Sequence, residues 1–387
     1  MINLKNIAQW YISMGVEAVI ESLIHNLDVN IKKINYIKGR GAQTNTHNRF
    51  FAQENVIEDD FLNHCHAINE NPDTNRTQYL EIFPKTILNK IKSTDIGLAY
   101  SMNPYQGCEH GCIYCYARNT HEYWGYSAGL DFERKILFKK NAAELLETKL
   151  KNKNWQAQNV MLSGNTDCYQ PIEKKLKITR SILEVFLKYQ HPVSIITKNA
   201  LILRDIDILA ELATQNLVHV SISITSLKEE TRMILEPRTT SIKKRLKTIK
   251  ILSDNKIPVN VMMAPIIPAI NNHEIFDLVK KVSELGACSA AYTIVRLNGA
   301  IATIFTDWLR KTMPDRADKI LHQIEDCHGG QLNDSRFGTR MRGEGKIAEQ
   351  VALQFRLAKK MYLNTISLPP LNYELYKNQK NIQLKLF

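Results

Sequence analysis

The stretch Gly107-Cys108-Glu109-His110-Gly111-Cys112-Ile113-Tyr114-Cys115-Tyr116 carries three cysteines in the spacing C-x₃-C-x₂-C, with an aromatic residue directly before the third. Thiolate is a soft, charge-donating ligand, the kind that holds iron–sulfur clusters and tunes their potential. Three thiolates on one short loop, from Cys108, Cys112 and Cys115, suit three irons of a [4Fe–4S] cube. The fourth iron is then left without a protein ligand and open to a small chelating molecule. The competing reading is a Cys₃His zinc site completed by His110 or His121.

Outward from this loop the pattern is regular. Runs rich in β-branched residues recur at Val160-Met161-Leu162, Val193 to Thr197, Val218 to Ile224, Val259 to Met263 and Ala291 to Val295. Helical patterns lie between them, from Ala142 to Leu150, Leu176 to Tyr189, Ile206 to Ala213, Ile242 to Ser253 and Glu274 to Leu285. Strands alternating with helices predict parallel βαβ units, and with a strand just before Cys108 about six units fit. In barrels of this kind reactive groups sit on loops after the strands, where the cysteine loop falls. Residues 1–95 read as an irregular N-terminal extension, 96–300 as the α/β barrel, 301–370 as a helical C-terminal region and 371–387 as a tail.

Seven cysteines, three in one loop and the others scattered, are no disulfide framework and predict a reducing, cytoplasmic setting. No apolar run is long enough for a transmembrane helix. Lys and Arg outnumber Asp and Glu by 51 to 39, a formal charge of +12. Such an excess favours a polyanionic partner, nucleic acid being the commonest, although solvated lysines also account for many basic proteins. The loop Ser335 to Gly343, with Arg336, Arg340 and Arg342, is the expected site of phosphate contacts.

The cysteine loop together with the βα repeat resembles the radical S-adenosylmethionine (radical SAM) superfamily. The resemblance implies a partial parallel (β/α)₆ barrel, a [4Fe–4S] cluster and SAM chelated to its open iron. It also implies reductive cleavage of SAM to a 5′-deoxyadenosyl radical, and an external electron donor such as flavodoxin or ferredoxin. On that resemblance Tyr114 belongs to the cofactor site, and the turn Ser163-Gly164-Asn165-Thr166 meets the SAM amino group through its backbone. Gly164, lacking a Cβ, permits close approach. Lys198, after the third strand, is placed to neutralise the SAM carboxylate. Ser221, Ser223 and Thr225 alternate along the fourth strand and put hydroxyls on one face, where Ser223 is placed for the ribose.

Cys115-Tyr116 within its loop is similar to the cluster loop of spore photoproduct lyase, a DNA repair enzyme, and to a broad bacterial group of lyase-like radical SAM proteins. The segments Ser127 to Glu133, Thr166 to Pro171, Leu235 to Thr239 and Leu332 to Gly338 share in that resemblance. It implies DNA as substrate and catalytic roles for Tyr116 and Cys168, the latter as a hydrogen-atom donor. Cys168 also reads as a small buried residue at the barrel rim. Gln383-Leu384-Lys385-Leu386-Phe387 resembles the peptide that docks repair proteins on the bacterial sliding clamp through Gln383, Leu384, Leu386 and Phe387. The expected function is radical SAM chemistry on DNA, with RNA, a protein or peptide, or a small metabolite as the alternative substrate.

Overall fold

The computed structural model describes residues 36–51, 76–95, 97–364 and 367–376. The chain divides into two compact units, 1–38 and 39–387, and nearly all the described residues belong to the second. The clamp-like segment 383–387 lies outside the described residues.

Ten strands are found among the described residues: β1 (Gln78–Glu81), β2 (Leu88–Lys90), β3 (Tyr100–Met102), β4 (Tyr105–Gln106), β5 (Lys135–Phe138), β6 (Val160–Leu162), β7 (Val193–Thr197), β8 (Val218–Ser223), β9 (Val259–Ile266) and β10 (Ser289–Ile294). The main sheet runs β10-β9-β8-β7-β6-β3-β2. Its first six strands are parallel and keep chain order, with β4 and β5 of a second sheet intervening between β3 and β6, while β2 pairs antiparallel with β3 at the edge. This is the partial (β/α)₆ barrel, with no ladder joining β10 back to β3 among the described residues.

The strand face packed under the helices is apolar, while the opposite face carries Ser194, His219, Ser221, Ser223 and Asn260. Val193, Ile195, Val218, Val220, Val259 and Val261 are all fully buried. The covering helices bury one stripe each. Ile275, Leu278, Val279 and Val282 of the helix Ile275–Glu284 lie at the i, i+3, i+4, i+7 spacing of a single face.

Three strands fall where no strand was expected. β1 and β2 come from the N-terminal extension, and β5 follows directly on the short helix Leu130–Arg134. β1 and β4 flank β5 in a second small sheet beside the cysteine loop. These strands are only two to four residues long, too short for a periodic pattern to register. Past β10 the chain is helical, with Ala300–Thr312, Ala317–Asp326 and Gly345–Tyr362. Residues 371–376 do not hang free as a tail. Tyr376 is buried and donates to the Leu150 carbonyl at 2.6 Å, and Asn372 N–H reaches Asn216 O at 2.8 Å.

Candidate active site

The cysteine loop leaves β4 through Gly107 and turns again at Gly111, both at positive φ, a conformation glycine adopts without steric cost. Cys108 and Cys112 are buried and Cys115 is half-buried. Backbone bonds tie the loop to both sides of its surroundings. Cys108 N–H donates to Phe132 O at 2.8 Å, Ile113 N–H to Leu235 O at 3.0 Å, and Arg238 N–H to His110 O at 3.2 Å.

The strongest tie is a buried ion pair. Arg118, fully buried in the 3₁₀ helix Tyr116–Trp124, donates through Nε and Nη2 to the Cys112 carbonyl. The same guanidinium meets Glu133 Oε1 at 2.5 Å and reaches the carbonyls of Ala128 and Gly129. Glu133 in turn accepts from the N–H groups of Gly41 and Ala42 at 3.2 and 2.8 Å. Backbone packs on backbone here: a Cβ on Gly41 would run into the Gly111 carbonyl.

On the barrel side, Tyr114 donates its hydroxyl to Glu236 Oε1. Glu236 also accepts from Thr225 Oγ1 at 2.9 Å and pairs with Arg245 at 2.6 Å. Burial alone would raise the Glu236 carboxyl, but Arg245 and Lys198 outweigh it and bring its pKa down to about 2. Lys198 Nζ donates to Ser223 Oγ at 2.8 Å and lies 5.9 Å from the centre of the Tyr114 ring. Tyr114, Lys198 and Ser223, each expected at the cofactor site, therefore meet in one network.

His110 lies between the Cys108 thiol and Asp167. Its Nδ1 faces Asp167 Oδ2 at 3.3 Å, and Asn199 lies 3.4 Å from Nε2. Burial opposes its charged form, yet Asp167 and Cys108 prevail and carry its pKa up to about 10. Asp167, despite its burial, is held down to about 2 chiefly by His110. Its carboxylate also accepts from Thr197 Oγ1 and Lys198 N–H, so it fixes the end of β7 against the turn after β6.

That turn holds the next four residues expected at the cofactor site. Ser163 and Thr166 are buried, and their hydroxyls bond the chain's own carbonyls, Ser163 to Thr166 O at 2.5 Å and Thr166 to Tyr105 O at 2.9 Å. They shape the turn from within. Gly164 and Asn165 are the half-exposed pair, with Asn165 N–H bonded to Asn103 Oδ1 at 2.7 Å. Tyr116 is 52% exposed and donates to the Gly164 carbonyl, which places it at the barrel mouth beside this turn.

Cys168 is not at the mouth. It is 0% exposed and belongs to the main apolar core, and burial pushes its thiol well above the usual range. The sequence neighbourhood brought Cys168 close to the site, but the chain turns at Ser163, whose Oγ accepts from Cys168 N–H, and sends the side chain inward. Cys168→Ala is expected to cost about 1–2 kcal/mol of stability, by lost packing, and to leave reaction products unchanged. Denaturant titration with product analysis checks this, and a new product would restore the donor role.

The arginine loop departs from expectation too. Arg336 is paired with Asp334 at 2.9 Å and Glu344 at 2.6 Å, and Arg340 with Asp95 at 2.5 Å. Arg342 lies over the Tyr292 ring. Two of the three charges are spent on carboxylates, that of Arg336 on two close by in the chain and that of Arg340 on Asp95, too far away for sequence to pair.

Residues 102–282 match the radical SAM superfamily. A Mycobacterium tuberculosis protein, named only as uncharacterized, is 31% identical over 238 residues, which is 61% of this chain and 70% of that protein. The chain belongs to the radical SAM superfamily. An uncharacterized protein of Methanocaldococcus jannaschii is 29% identical over 219 residues, 57% of this chain and 78% of its own. The fold is shared with spore photoproduct lyase: one solved point mutant of that enzyme superposes with a TM-score of 0.56 at 13% identity, covering 78% of this chain and 91% of that one. A second form of the lyase has been solved with AdoMet and a dinucleoside spore photoproduct bound.

Radical SAM enzymes use a [4Fe–4S] cluster and SAM, and the donor set here fits the cluster. Burial, then the neighbouring charges, pushes the Cys112 thiol up, and the Cys115 thiol is raised chiefly by burial as well. Cys108 and Cys115 pack in one small buried cluster with Ala117 and Phe132. Thiolates in such a place need positive charge beside them, as iron provides. Among the described residues no three His, Cys, Asp or Glu side chains converge on a point suited to one metal ion. Of the two histidines in the zinc reading, His110 is engaged by Asp167, and His121 is buried between Tyr126 and Phe132. No helix among the described residues is long and apolar enough to cross a membrane.

The sequence did not single out Arg118, Asn103 or Arg245, and it left Glu236 without a role. Glu133, Asp167 and Glu236 do lie in three of the segments quoted for the resemblance, and these three segments meet around the cysteine loop.

Proposed function

We propose that this radical SAM enzyme acts on DNA, with Cys108, Cys112 and Cys115 holding the cluster. When bound, the cluster and SAM supply a 5′-deoxyadenosyl radical. The protein's part is to orient and enclose. Lys198 presents its ammonium to the SAM carboxylate, Ser223 its hydroxyl to the ribose, and the Gly164-Asn165 backbone its polar groups to the amino end. Glu236, ionised and fixed by Arg245, holds Tyr114 in place. Tyr116 stands at the substrate side of the mouth.

One observation carries the choice of substrate. Straight after the third cysteine, the helix Tyr116–Trp124 displays Tyr123 at 69% and Trp124 at 41% exposure, and Phe50 packs beside Tyr123 with ring centroids 4.9 Å apart. The Arg49 guanidinium, whose Nε meets Glu122 at 3.2 Å, lies 4.9 Å over Phe50 and 5.5 Å from Tyr123. Exposed aromatic faces beside a cation are what unstacked bases bind, at about 1–3 kcal/mol per base. The overall charge of +12 and the fold shared with a DNA lyase support the same reading.

The test is anaerobic reaction with deuterium-labelled SAM and either undamaged or UV-irradiated DNA. DNA is expected to accelerate SAM cleavage and to acquire label, and its binding should weaken steeply with salt as counterions are released. Arg336→Ala should change the affinity little, because its charge is already compensated. Absence of binding at low salt, with no acceleration, would transfer the assignment to RNA, peptide or metabolite substrates.

A further inference from the structure

We propose that a basic cavity behind the cysteine loop binds a phosphate oxyanion. The cavity, about 500 Å³, lies among the loops that follow β7 and β8. Its charged lining is Lys174, Arg232, Arg238 and Lys244, and no carboxylate lines it. Arg232 is 7% exposed and fixed in place: Nε pairs with Glu229 at 2.8 Å, and Nη1 donates to the carbonyls of Glu236, Pro237 and Thr239. Nη2 of this rigid guanidinium has no hydrogen-bond partner among the described residues. Lys174 and Lys244 make no ion pair among the described residues, and the nearest carboxylate oxygen to Arg238 is that of Glu109, at 3.7 Å.

Ser241 lines the cavity and precedes the 13-residue helix Ile242–Asp254. Its hydroxyl caps nothing, and the first turn contains no acidic residue. Ile242 N–H at the head of that helix is taken by Glu229 Oε2 at 2.9 Å, so the attraction rests on the side chains, where the open Nη2 of Arg232 and two ammonium groups offer donors to a phosphate from several directions. The volume admits a phosphate with its sugar.

Position ties this cavity to the chemistry. Its wall includes Arg238, whose N–H bonds the His110 carbonyl, and Asn199, whose amide lies against the His110 ring. A phosphate here is therefore seated on the back of the cysteine loop, at the same end of the barrel. A polynucleotide strand is one source of that phosphate, and this part of the inference rests on the proposed function. A free phosphate or nucleotide is the other.

The experiment uses the full chain and the double variant Lys174→Glu/Lys244→Glu, with Lys319→Glu/Lys346→Glu as a control of equal charge change far from any cavity lining. Binding of a 20-nucleotide single-stranded DNA is followed by fluorescence anisotropy across salt, and binding of inorganic phosphate and thymidine monophosphate by ³¹P NMR. The cavity variant should lose phosphate binding and at least tenfold in DNA affinity, with a salt slope shallower by roughly 1.4 for two lost contacts. The control should stay within twofold of the parent, and SAM cleavage without DNA should be unchanged in both. If phosphate binding is lost while DNA affinity is unmoved, the site stands and its ligand is a free phosphate or nucleotide. If the parent binds phosphate but no DNA, the DNA reading fails and the site still stands. If the parent binds neither small anion, or the control falls as far as the cavity variant, the proposal is overturned.

Discussion

Cys112→Ala should abolish SAM cleavage, a fall beyond a thousandfold, equivalent to more than about 4 kcal/mol of barrier. The cube would be left with two protein thiolates, and no nearby group is available to replace the third. His110 is locked to Asp167, and Glu109 is bonded through Oε1 to Tyr79 at 2.7 Å. The fold should survive, because the loop's main ties run through backbone groups and through Arg118. Anaerobic reconstitution, iron and sulfide content and the yield of 5′-deoxyadenosine check this, with circular dichroism to confirm folding. A variant retaining full iron and activity would sink the assignment.

Arg118→Met should be nearly as damaging by a different route. Methionine fills much of the arginine stem's volume but removes every donor. Glu133 then remains buried without its ionic partner, and the carbonyls of Cys112, Ala128 and Gly129 lose their bonds. Breaking a buried pair from one side costs about 3–5 kcal/mol. Because the lost bonds converge on the cysteine loop, cluster occupancy should fall along with stability. Denaturant unfolding of the apoprotein separates the two effects. Adding Glu133→Leu should cost less than the sum of the single changes, since it removes the stranded charge. Stability equal to the parent would mean that the pair does not hold the loop.

The barrel was legible because its signals are local and repeated. Val193 to Thr197 alternates with a helix long enough to display its stripe, and both read directly from the chain. The three cysteines were legible because their spacing is itself the chemistry. Arg118 was not, since an arginine shortly after a cysteine looks like any solvated cation until Glu133 and the Cys112 carbonyl are seen around it. Arg336 erred in the opposite direction, looking available until Asp334 and Glu344 neutralised it. Cys168 shows the remaining difficulty: sequence places a residue near a site, but the turn at Ser163 decides which way it faces.

The contact of Gly41 with Gly111 bears on how the protein is made. Residues 40–42 leave the ribosome before the cysteines, while Leu235 to Arg238, which close the other side of the loop, emerge more than a hundred residues after Cys115. During synthesis the thiols thus wait on a half-built seat, braced by the older segment and open toward the younger one. Release of the later segment completes the seat. A nascent chain stalled before residue 235 is expected to present these thiols to solvent, and to any delivery or oxidising agent in it, far longer than the finished protein does.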